Sequence, residues 1–203
     1  VRLKVIVHVG PKGFQKVGHI CFAYDDIVYS YGNYDSDSFH LNQTIGDGIF
    51  FTVPLEKYIP NMISAENNSI FEYGIYTTSK QNALIEKEIE KIRQNGYRWY
   101  TKIEKEDGYD RFSEYEMDYP SRLHYRTGAK LYKVKSGKFH IYWALGDNCA
   151  SFTDLVLGTL GADVLSIRGI ISPGTYLDWL QKEYLKKNSP IVFRRIYKEW
   201  DSK

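Results

Sequence analysis

The sequence predicts an α+β domain with a central antiparallel β-sheet and a cysteine-bearing helix packed on it. Three observations predict this. Short β-branched and aromatic runs recur along the chain and are joined by tight polar turns. The helical patterns between them carry an apolar stripe on one side and charges on the other, as helices lying on a sheet do. In Gly146-Asp147-Asn148-Cys149-Ala150-Ser151-Phe152, a cysteine opens an apolar pattern in which Phe152, Leu155, Val156 and Leu160 recur at helical spacing. Asp147 and Asn148 both suit the N-cap of that helix, and Gly161 suits its stop.

Bulk properties narrow the function classes. A chain of 203 residues, 43% of them apolar, suits one domain spanning 1–203 with a sizeable core. The net charge of +2 gives no electrostatic case for nucleic acid or an acidic membrane surface. No apolar run reaches the length of a membrane span. No signal peptide is read, and a start at Val1 fits a piece of a larger protein or a processed form. Tyrosine is abundant at 18 residues, which suits β structure or a groove for a polar polymer. The only cysteines, Cys21 and Cys149, form no CxxC pair and no Cys/His cluster with zinc spacing, so neither a metal nor a cofactor is expected. A Cys21–Cys149 disulfide stays open as one structural reading.

In chain order, residues 3–9 read as a strand and 10–13 as a turn. Residues 17–24 and 27–31 form a hairpin around Asp25-Asp26. Alternation in its first strand puts His19, Cys21 and Ala23 on one face and Ile20, Phe22 and Tyr24 on the other. Gly18, just before the histidine, lets another backbone come close. Residues 32–48 are polar and glycine-punctuated, hence a loop; 49–53 and 69–76 read as strands. Thr78 with Gln81 resembles a capping box, starting a helix to about Asn95 with Ile85, Ile89 and Ile92 on its buried side. Residues 102–128 mix charges and aromatics and read as an insertion or lid. Residues 130–135 and 139–143 are strands leading to the Cys149 helix. A hydrophobic connection at 164–171 follows it, then a helix capped by Ser172-Pro173 with Leu177, Leu180 and Tyr184 as its buried stripe, and a last strand at 191–197.

Cys149 in a first helical turn faces free N–H groups and the positive dipole end, which favour the nucleophilic thiolate. A buried cysteine acting as a small hydrophobe is the other reading of the same residue. A nucleophile needs a base and a third group to hold it. Of the five histidines, His40 and His124 lie in polar stretches, and His8 and His140 lack flanking features. His19, in an apolar strand behind a glycine, is the best placed.

Gly18-His19-Ile20, the returning strand Val28-Tyr29-Ser30-Tyr31-Gly32 and the later Asp147-Asn148-Cys149 helix start, in that order, resemble the circularly permuted branch of the NlpC-type, papain-like superfamily. Over roughly residues 17–180 the pattern is most similar to bacterial members that include type VI secretion effectors. The resemblance implies a papain-like fold with Cys149 as nucleophile and His19 as general base. It implies a polar third residue on the strand after the histidine, where Tyr31 occupies the corresponding place and Ser30 is selected by a one-residue register slip. It implies an oxyanion hole from the Cys149 N–H with a neighbouring donor, for which the Asn148 side chain stands, although Asn148 as a plain helix cap is equally open. The implied activity is a cysteine peptidase or amidase acting through a thioester on peptidoglycan stem peptides. Such an enzyme would be a secreted antibacterial toxin, delivered to a target-cell periplasm and matched by an immunity protein. Acyl transfer or lipid and thioester hydrolysis is the alternative within the superfamily. A non-catalytic binding module on a decayed papain-like fold is the alternative outside enzymes.

Overall fold

The computed structural model describes residues 1–9, 18–109, 113–161 and 172–198. The expected turn at 10–13 and the connection at 164–171 lie outside them.

The elements run β1 (Leu3–Val9), β2 (His19–Tyr24), β3 (Ile27–Gly32), β4 (Ile45–Asp47), β5 (Ile49–Pro54), α1 (Leu55–Ser64), β6 (Ser69–Ile75) and α2 (Ser79–Gln94). They continue with β7 (Gly96–Trp99), α3 (Lys102–Lys105), α4 (Tyr119–Thr127), β8 (Lys130–Val134), β9 (Ile141–Trp143), α5 (Cys149–Leu157), α6 (Pro173–Tyr184) and β10 (Ile191–Tyr197). Eight strands form one sheet in the order β10-β6-β1-β2-β3-β5-β8-β7, and every neighbouring pair is antiparallel. The chain is thus α+β with a large antiparallel sheet and helices packed on it.

Strand alternation sorts the side chains into two cores. On one face, Val5, Val7, Ile20, Phe22, Tyr29 and Tyr31 meet α2, α5 and α6 through Ile85, Ile89, Phe152, Val156, Tyr176 and Leu180. On the other face, Ile6, Cys21, Ala23, Val28 and Phe51 meet α1 and α4 through Tyr58, Ile59, Met62 and Leu123. Because helices cover both faces, β1 to β3 are apolar almost throughout rather than alternating with polar residues.

The β2–β3 turn sets the register that matters for the site. Asp25 and Asp26 have φ of 48° and 60°, the left-handed pair that a two-residue hairpin turn demands. Pairing then runs Tyr24 with Ile27, Ala23 with Val28 and Phe22 with Tyr29.

Three regions differ from the sequence-based expectation. Residues 55–64, to which no element is assigned from sequence, form α1 despite Pro60 inside it, held by Leu55, Tyr58, Ile59 and Met62 against the second core. The expected insertion or lid at 102–128 contains α4, whose Leu123 is 1% exposed and packs into that core, so this helix is a wall of the domain. The strand expected at 139–143 is only Ile141–Trp143, and it pairs with β4 in a separate two-stranded ribbon.

Candidate active site

The start of α5 is fixed locally. The Asn148 Oδ1 accepts the backbone N–H groups of Ala150 (2.9 Å) and Ser151 (3.1 Å), and Ser151 Oγ accepts the Asn148 N–H at 2.9 Å. This reciprocal cap makes Cys149 the first residue of the helix. The Asn148 Nδ2 donates to the Ala144 carbonyl at 3.0 Å. The side chain proposed for the oxyanion hole is therefore engaged in capping at its oxygen and in tying down the preceding turn at its nitrogen.

The β2–β3 ladder explains where the sulfur sits. Asp25 N–H donates to the Arg2 carbonyl, so the β2 residues that bond β1 are the odd-numbered ones. The amides of Ile20, Phe22 and Tyr24 consequently point toward β3. Pairing with β3 stops at Phe22, and toward His19 the two strands open into a fork. There the Ile20 N–H, lacking a β3 partner, donates to the Cys149 sulfur. The thiol is thereby held against the peptide that links Ile20 to His19.

His19 sits at the mouth of the fork. Gly18 before it has φ +72°, and a Cβ there would lie 2.6 Å from the His8 carbonyl oxygen, so only glycine fits this approach. The His19 Nε2 is 2.7 Å from Ser30 Oγ, which is 3.2 Å from the Tyr34 hydroxyl. With Nε2 engaged, Nδ1 is the ring nitrogen left for a thiol. Among the described residues, no hydrogen bond joins the sulfur to the imidazole.

Ser30, not Tyr31, therefore holds the imidazole, which corrects the assignment of Tyr31. The physical reason is alternation: Ser30 shares the His19 face, and Tyr31 points to the other. Its hydroxyl donates to the Phe139 carbonyl at 3.0 Å, and its ring stacks on Phe152 with centroids 4.9 Å apart.

The electrostatics also depart from expectation. Backbone N–H groups of Ile20, Ala150 and Cys149 favour the thiolate, but burial outweighs them and pushes the Cys149 thiol up to about 11. Burial lowers His19 to about 4. At neutral pH Cys149 is a thiol and His19 a neutral imidazole, not a thiolate and an imidazolium.

Two residues that sequence reasoning did not assign to the site join it. His8 faces His19 across the β1–β2 ladder, edge to face at 5.4 Å, and its Nε2 lies 3.1 Å from the Tyr58 hydroxyl. Hairpin register made that pairing recoverable; Tyr34, in a polar loop, carried no such signal. Cys21 and Cys149 are both free thiols, so the disulfide reading is set aside. Among the described residues, no group of three or more His, Cys, Asp or Glu side chains is placed to hold a metal ion.

Taken together, the fold and site define an α+β protein with a buried cysteine at a helix start, set against the backbone of Ile20, and a serine-bonded histidine one residue before Ile20. Compared with models of known protein families, with characterised proteins and with solved structures, the chain matches none.

Proposed function

We propose that this protein is a cysteine hydrolase of the permuted NlpC-type, papain-like kind, acting on an amide bond. The observation that carries the reading is the Cys149 sulfur seated on the Ile20 amide, one peptide from a histidine whose far nitrogen is bound by Ser30.

In the proposed reaction, His19 Nδ1 takes the thiol proton as the sulfur attacks the carbonyl carbon. The oxyanion that forms is met by the Cys149 N–H at the positive end of α5. The imidazolium returns its proton to the leaving amine as the C–N bond breaks, leaving a thioester. Water, deprotonated by His19, then attacks the thioester and releases a carboxylic acid and the free thiol. Ser30 orients the imidazole throughout. It carries no charge, so it fixes the ring without stabilising imidazolium as a carboxylate would.

For the substrate, the proposal is the stem peptide of peptidoglycan, cleaved in the periplasm of a target cell by a delivered antibacterial protein with its own immunity partner. The resemblance in sequence order supports this choice. No helix among the described residues is long and apolar enough to cross a membrane. The test is mass spectrometry of purified cell-wall fragments after incubation with the protein, with intact-protein mass read in parallel. New carboxyl termini and an acyl adduct on Cys149 are expected; unchanged fragments together with an unmodified protein would sink the reading.

A further inference from the structure

We propose that the cavity beside His19 is a subsite for a neutral hydrogen-bond acceptor, the carbonyl oxygen of a peptide amide, and that filling it sets His19 as a base through Tyr34 and Ser30. The inference rests on reading Cys149 and His19 as nucleophile and base, and it names what switches that pair on.

The cavity holds about 230 Å³ and is lined by His8, His19, Tyr34, Met62, Glu66 and Tyr119 among others. That is below the roughly 300 Å³ at which drug-sized sites begin, and enough for one peptide unit. Its lining includes two donors. His8 is 3% exposed, and its Nδ1 has no hydrogen-bond partner among the described residues. With the Tyr58 O–H, 3.1 Å away, and the Cys21 thiol, 4.0 Å away, both directed at His8 Nε2, the ring proton belongs on Nδ1. A buried N–H donor therefore stands beside the cavity without an acceptor.

Tyr34 is the second donor, and its direction is coupled to His19. When the Tyr34 O–H points at Ser30, Ser30 donates to His19 Nε2, and the ring proton sits on Nδ1. In that tautomer His19 cannot accept the thiol proton. When the Tyr34 O–H turns to an acceptor in the cavity, Ser30 donates to the Tyr34 oxygen and accepts the His19 Nε2–H. The Nδ1 lone pair is then free to take a proton. An occupant that binds the second arrangement better shifts the population toward the base. Tyr34 is thus a positioning residue, acting on His19 only through Ser30. Its ring is held for the role by Gly32, where a Cβ would come within 2.9 Å of it, and by stacking on Tyr119 at 5.8 Å.

Charge selects the occupant. Burial keeps both His8 and His19 neutral, so neither offers a counter-charge to an anion. Glu66 adds a carboxylate to the lining, partnered by Arg122 at 3.3 Å and Arg126 at 3.7 Å. A carboxylate ligand is disfavoured there, and an ammonium has no acceptor role to offer Tyr34 and His8. A neutral amide carbonyl meets both donors.

The experiment follows the imidazole nitrogens of ¹⁵N-histidine-labelled protein by NMR while N-methylacetamide is added, with acetate and methylammonium as controls. N-methylacetamide is expected to move His19 saturably toward the Nε2–H tautomer, and the two ions are not. Tyr34→Phe removes the response, and Met62→Trp, which fills the cavity and leaves Tyr34 in place, removes it too. Cys149→Ala keeps it. Unmoved His19 nitrogens in the wild-type protein, or a Tyr34→Phe variant that responds as the wild type does, overturn the proposal. A tautomer response in a protein that hydrolyses nothing retires the hydrolase reading and keeps the subsite. Hydrolysis without any tautomer response does the reverse.

Discussion

Two buried thiols, Cys149 and Cys21, each lie at β2, and the chemistry assigned to them differs entirely. Cys149 begins a helix, where the backbone N–H groups of Ile20, Ala150 and its own residue favour the thiolate. Cys21 sits in mid-strand, where its amide is spent on the β1 ladder, and its sulfur meets Tyr58 at 3.9 Å and His8 at 4.0 Å. Burial pushes both thiols up, Cys21 further. Backbone amides aimed at a sulfur are what a helix start in an open strand fork provides and a closed ladder cannot. Burial and a neighbouring histidine alone do not make a nucleophile.

The sharpest way to break this comparison is to remove each sulfur in turn. Cys149→Ala is expected to lower hydrolysis by on the order of 10⁴-fold or more, the scale of removing a nucleophile from a working site. Cys21→Ala is expected to leave kcat/KM within a few-fold while costing about 1–2 kcal/mol of stability, since it empties part of a packed core. Rates on released fragments and denaturant unfolding of both variants check this. Equal losses of rate would show that the two sites are not different in kind.

The elements that sequence shows are those whose signals are local. Thr78 and Gln81 form the reciprocal cap expected for α2, and Ile85, Ile89 and Ile92 are its buried residues. Asn148 and Ser172 cap their helices for the same reason: the donor and acceptor lie within three residues. Helix α1 is harder to see because Pro60 interrupts an otherwise helical spacing, and only burial against the second face offsets the lost hydrogen bond. The β4–β9 ribbon joins residues about a hundred positions apart, which no local pattern reports. Ser30 was legible in principle. The two-residue Asp25-Asp26 turn fixes Phe22 opposite Tyr29, and continuing that count sets Ser30 across from Cys21, on the His19 face. The place implied by the resemblance falls on Tyr31, whose side chain lies on the other side of the sheet.

Titration separates the two neighbourhoods next. Burial holds His19 near 4, below the unperturbed 6.5, and lowers His8 well below its ordinary value too, with the facing His19 adding repulsion. Around them stand Ser30, Tyr34, Tyr58 and the Cys21 thiol. The unfolded chain binds protons that the folded one excludes, so stability is fully present above pH 6.5 and falls between 6.5 and 4. His19 alone contributes on the order of 2–3 kcal/mol to that loss. Chemical denaturation from pH 7.5 to 4.5 should show the slope, and His19→Asn should flatten it. Iodoacetamide modification of Cys149 should keep climbing from pH 8 toward 11. A plateau from pH 5 upward would mean a preformed thiolate–imidazolium pair and contradict the neutral resting site.

The smallest expected effects test the imidazole's support. His19 has its Nε2 on Ser30 and His8 has its Nε2 on Tyr58, two similar bonds with different consequences. Ser30→Ala is expected to lower kcat/KM by about 10–100-fold with little change in KM, the loss of one orienting hydrogen bond to a base. Tyr58→Phe is expected to cost about 1 kcal/mol of stability and leave the rate within a few-fold. Tyr31→Phe belongs with Tyr58→Phe: it gives up the bond to the Phe139 carbonyl and keeps the stacking on Phe152, again costing about 1 kcal/mol. Steady-state kinetics and thermal unfolding on the three variants rank them. A rate loss in Tyr31→Phe that matches Ser30→Ala would return the orienting role to the opposite face, and with it the imidazole would have to leave the side of the sheet that His8 and Ser30 share.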